Sequence, residues 1–79
     1  MSEINSIEKA LLRAKAFLAE AGVPTTFCIL METPKLESGK WTVKFENTLS
    51  GEIYTVTMDI LGNIIGYDRK KQRGIVEEV

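Results

Sequence analysis

The feature that most constrains this chain is a change of hydrophobic period at Gly22. Upstream of it, Ile7, Ala10, Leu11, Ala14, Phe17, Leu18 and Ala21 recur at the three-and-four spacing of a single helix face. Downstream, "TTFCILME", "KWTVKFEN", "EIYTVTMD" and "NIIGYDR" follow a period of two and are rich in β-branched and aromatic residues. One amphipathic helix followed by four alternating segments buries both apolar surfaces when the helix lies across one face of an antiparallel sheet. The expected class is therefore α+β.

Local signals set the expected boundaries. Asn5 with Glu8 three residues later reads as a variant capping box, and Gly22 followed by Pro24 reads as a stop, so the helix should run from about Ser6 to Ala21. The connections "TPKLESG", "TLSG" and "ILG" are short and rich in turn residues, which joins neighbouring strands as hairpins. The result is a four-stranded meander with strands at about 25–32, 40–47, 52–59 and 63–69, and a C-terminal tail at 70–79. Trp41, Val43 and Phe45 share one face of the second strand, opposite Thr42, Lys44 and Glu46, and Tyr54, Val56 and Met58 repeat the pattern.

With 79 residues the chain reads as one domain, residues 1–79, able to bury only about 60% of its extended surface. A formal net charge of −1 gives no bulk attraction to nucleic acid or anionic lipid, so such binding would need a local patch. The single cysteine, Cys28, cannot form an intramolecular disulfide and reads as a small strand hydrophobe. No signal-like start and no apolar run of about 20 residues are present, so the expected location is the cytoplasm, without a membrane span.

Histidine is absent, which removes the commonest general base near neutral pH, the commonest zinc ligand and a partner for Cys28. There is no phosphate loop, cysteine pair or nucleophile elbow. Neither an enzyme nor a cofactor or metal site is expected. Asp59, Ile60, Leu61, Gly62 and Asn63 fit a three-residue hairpin loop with Gly62 in the left-handed position and Asp59 accepting local N–H bonds. A calcium loop is the rival, but Leu61 stands where an oxygen ligand would be needed. Arg69, Lys70, Lys71 and Arg73 gather four of the ten cations into five residues, a candidate basic patch for phosphate, nucleic acid or an acidic partner. No stacking aromatics interleave it, so nucleic acid is not the expected partner.

Two family resemblances bear on function. Tyr54, Val56, Asp59, Gly62 and Ile64 are similar to the strand-turn-strand pattern of PepSY-like domains, over about a third of the chain. That resemblance implies a cystatin-like helix and curved sheet, and a non-catalytic domain that binds or inhibits another protein. Tyr54, Val56, Asp59, Gly62, Tyr67, Arg69, Arg73 and Gly74 also look like the terminal part of a gas-vesicle accessory protein family. The second resemblance implies an accessory role in which a hairpin leads into an arginine-rich tail.

The turn also fixes an expected register. With Asp59 opposite Asn63, Met58 faces Ile64, Val56 faces Gly66, Thr57 faces Ile65 and Thr55 faces Tyr67. Ile53, Ile65 and Tyr67 would then form an apolar patch on the sheet face away from the helix, with Ile65 and Tyr67 on an edge strand. The first strand repeats the anomaly, because Phe27, Ile29 and Met31 alternate with Cys28 and Leu30 and one set must lie outside. Apolar side chains at both sheet edges suggest a protein partner or a homodimer, with burial under "GIVEEV" as the alternative.

Overall fold

The computed structural model describes residues 3–71. Helix α1 (Ile7–Glu20) begins one residue later than the sequence suggested, because Ser6, not Asn5, caps it. The Ser6 hydroxyl accepts from the Lys9 N–H at 3.2 Å, which satisfies one of the unpaired donors of the first turn. At the other end the Gly22 N–H donates to Ala19 O (3.1 Å) and the Val23 N–H to Leu18 O (2.9 Å). Those two bonds define a Schellman motif, and Leu18 and Val23, both buried, supply its apolar contact.

The sheet is antiparallel and contains β1 (Cys28–Leu30), β2 (Lys35–Glu37), β3 (Lys40–Asn47), β4 (Glu52–Asp59) and β5 (Ile64–Lys71), in spatial order β1-β3-β4-β5. Five strands replace the expected four. β1 and β2 pair with opposite halves of β3 along the same edge, Leu30 with Phe45 and Lys35 with Thr42. Two more residues lie on the β1/β2 side of that interval than on the β3 side, and the excess holds the buried Pro34. Proline has no N–H to give to a ladder, so the edge breaks there into two short strands. Glu37 pairs with Lys40 across a two-residue turn in which Ser38 (φ 52°) and Gly39 (φ 75°) both take positive φ, the combination required by the type I′ hairpin.

A second correction lies in β5. Met58 faces Ile64 as the turn dictates, but a β-bulge then adds Ile65, and the pairs beyond it are Thr57 with Gly66, Val56 with Tyr67 and Thr55 with Asp68. A shift by one residue exchanges the faces of everything that follows. Tyr67 therefore joins the helix side, its ring meeting Phe17 edge-on with centroids 5.2 Å apart. β5 also extends to Lys71, so Lys70 and Lys71 belong to the strand with Arg69 and not to the tail. Arg73 and "GIVEEV" lie outside the described residues.

The core forms where the helix crosses the sheet. Trp41, Val43, Phe45, Tyr54, Val56 and Met58 are buried against Ala10, Ala14 and Leu18. Two alanines in the contact stripe let the helix backbone approach closely, and each fully buried large side chain contributes about 1.5–3 kcal/mol. Cys28 and Leu30 pair with Asn47 and Phe45, so they share the helix face of the sheet, and Ile29, opposite Glu46, lies on the other.

Candidate functional site

The turn after β4 is a docking point for the helix. Gly62 takes φ +87°, its N–H donates to Asp59 O (3.0 Å), and the Asp59 N–H donates to Asn63 O (3.0 Å). Asp59 Oδ1 accepts from the Leu61 and Asn63 N–H groups, both at 2.9 Å, and Oδ2 accepts from Asn63 Nδ2 at 3.0 Å. These bonds, the Asn63 side-chain amide first, hold the Asp59 carboxyl below the usual carboxylate range. Its oxygens are thus committed to the turn itself. From outside, Arg13 Nε donates to Gly62 O (2.8 Å), the Ile4 N–H donates to Ile60 O, and Trp41 Nε1 donates to Ile4 O (2.8 Å). Asp59 and Gly62 are accordingly structural residues that anchor the entry to α1.

The opposite end of the helix overhangs a hollow of about 280 Å³, lined by residues that include Pro24, Asn47, Glu52, Tyr54, Tyr67 and Arg69. Glu52, Tyr54 and Arg69 meet because Tyr54 pairs with Arg69 across β4 and β5, and Glu52 lies two residues away on the same face. The Tyr54 hydroxyl donates to Glu52 Oε1 (2.7 Å), and Arg69 donates through Nε (3.1 Å) and Nη2 (2.8 Å) to Oε2. Arg69 also lies over the Tyr54 ring, 6.0 Å from its centroid. The tyrosine hydroxyl and then the guanidinium pull the Glu52 carboxyl below its ordinary range, and the carboxylate pushes the Tyr54 phenol above its own. Charge in this trio is internally balanced. Asn47, 6% exposed, closes the floor with its Oδ1 accepting from the Leu49 and Ser50 N–H groups. Sequence reasoning missed the trio because the register it used placed Asp68, not Arg69, directly opposite Tyr54.

The described members of the basic cluster, Arg69, Lys70 and Lys71, do not share one face of the sheet. Arg69 pairs with Tyr54, Lys70 with Ile53 and Lys71 with Glu52, so alternate cations point to opposite faces. Among the described residues no group of three or more acidic, cysteine or histidine side chains is placed to hold a metal ion, and no helix is long and apolar enough to cross a membrane.

Of the three residues expected to form an outward apolar patch, the structure separates them. Ile53 is half-buried on the outer face between Glu46 and Lys70, Ile65 is the exposed extra residue of the bulge, and Tyr67 faces the helix while remaining 41% exposed. The other edge is different. Phe27, Ile29, Leu30 and Met31 are all exposed, around a strand with no neighbour on its far side among the described residues. Cys28 is the partly buried member of the run; its thiol donates to Pro24 O (3.4 Å), and burial pushes its pKa up. No family model, curated protein or solved structure matches the chain.

Proposed function

We propose that the chain is a non-catalytic protein-binding or assembly domain, in the manner of the PepSY-like, cystatin-like modules its sequence resembles, and that it engages its partner at the β1 edge. The observation behind this reading is the exposed apolar run Phe27, Ile29, Leu30 and Met31 beside an open strand edge. Main-chain groups on such an edge supply affinity, and alternating side chains supply selectivity. The hollow under the helix is the less favoured surface, because its one carboxylate already holds both the tyrosine hydroxyl and the guanidinium. The basic cluster is less favoured again, since its described cations, Arg69, Lys70 and Lys71, are divided between two faces.

Photo-crosslinking in the native host tests the reading. A photoreactive residue at Ile29 is expected to give a discrete protein adduct, whereas one at Lys15, on the exposed helix surface, is not. Adducts from the Lys15 position with none from Ile29 would overturn it.

A further inference from the structure

We infer that the partner fitted to the β1 edge is a second copy of this chain, joined by antiparallel β1–β1 pairing about a two-fold axis at Leu30. The inference rests on the edge-binding reading above and adds the identity of the occupant. In an antiparallel ladder, successive residues turn their N–H and C=O groups to opposite sides. The Met31 N–H donates to Lys44 O (3.0 Å) and Phe27 O accepts from the Thr48 N–H (2.9 Å), so Phe27, Ile29 and Met31 direct their backbone groups toward β3. Cys28 and Leu30 therefore turn theirs to the open edge. The Cys28 N–H is already spent on Thr25 O (3.1 Å), which leaves Leu30 as the one residue of β1 whose donor and acceptor both face outward.

That arrangement is self-complementary only for a two-fold at Leu30. Each Leu30 N–H then meets the Leu30 C=O of the other copy, and Ile29 stands opposite Met31 in both halves of the junction, where 53% and 43% exposed side chains cover one another. Residues 27–31 carry no charge, so the axis brings no like charges together. The opposite edge lacks these properties. β5 is bent by the bulge at Ile65 and continues as Asp68, Arg69, Lys70 and Lys71, two features that discourage strand addition. Because the strand is short, the contact is weak and depends on concentration.

Sedimentation equilibrium of the full chain from about 1 µM to about 1 mM tests this, with two doubly substituted proteins beside the wild type. Ile29→Lys/Met31→Lys places cations opposite each other twice and is expected to weaken dimerisation about tenfold or more; Ile29→Lys/Met31→Glu places opposite charges across the same axis and is expected to restore it. Both positions are exposed, so the fold is not at stake, and circular dichroism of each variant checks this. A wild type that stays monomeric throughout, or a dimer indifferent to the charge pattern, overturns the second-copy inference. If position 29 still crosslinks to a different protein in that event, the edge-binding reading survives without it.

Discussion

The two ends of the helix are fixed to the sheet in different ways. At the N-terminal end, Arg13, Ile4 and Trp41 make polar contacts that join segments far apart in the chain, with Gly62, Ile60 and each other as partners. At the C-terminal end the helix is closed locally by its Schellman turn, and the polar trio below it links β4 only to β5. Polar contacts hold the first end of the helix to the sheet; at the second, Leu18 and Phe17 hold it by apolar packing while the polar trio seals the sheet's own corner. Substitutions at the turn end should therefore cost more than substitutions in the hollow, although the hollow carries the more conspicuous charges.

Trp41 gives the largest expected effect. It is 5% exposed, packs in the core and donates to the Ile4 carbonyl, so Trp41→Ala should cost about 3–5 kcal/mol in denaturant unfolding. Trp41→Phe should cost about 1–3 kcal/mol by leaving that carbonyl without its donor. If Arg69→Ala matched Trp41→Ala, the contrast between the ends would fail. Next is Gly62→Ala, at about 1–2 kcal/mol, with Asn63→Ala milder. A Cβ at Gly62 would sit 3.5 Å from Ile4 Cδ1, an ordinary contact, so the cost comes from φ +87° and not from crowding. An unchanged denaturant midpoint would show that the turn can rearrange without releasing the helix.

The helix, β3, β4 and the turn were legible because each has a strong local signature: seven apolar positions on one helical face, clean alternation over eight residues, and an Asp and Gly at the offsets a bulged hairpin requires. β2 was not, because Pro34, Lys35, Glu37 and Ser38 have the composition of a loop, and a strand exposed at every position has no apolar alternation to display. Its one signal was the dipeptide Ser38-Gly39, which marks a tight turn. The bulge in β5 also had a signal. Gly66 interrupts an otherwise regular strand, and a Cβ there would lie 3.5 Å from Thr57 Cβ. Missing that one residue reversed the faces of Tyr67 and Arg69, which hid the trio and created an apolar patch that the structure does not contain.

The smallest predicted effect compares the ends through acid. Glu52 and Asp59 both have carboxyl groups held below their ordinary range, Glu52 by the Tyr54 hydroxyl and then Arg69, Asp59 by the Asn63 amide. A carboxylate whose folded pKa is depressed contributes stability that is complete above the unfolded value, about 4, and is lost as pH falls through the folded value. Unfolding midpoints should thus decline below about pH 4 in the wild type. Glu52→Gln and Asp59→Asn should each flatten that decline while lowering the plateau near neutrality. The two differ in salt. Glu52 faces a cation whose side chain is 58% exposed, so its contribution should shrink as ionic strength rises, whereas Asp59 bonds to neutral N–H groups and should respond less. Equal salt responses would mean that Arg69 adds nothing to the corner beyond its contact with the Tyr54 ring, and that the Tyr54 hydroxyl alone accounts for the stabilised Glu52 carboxylate.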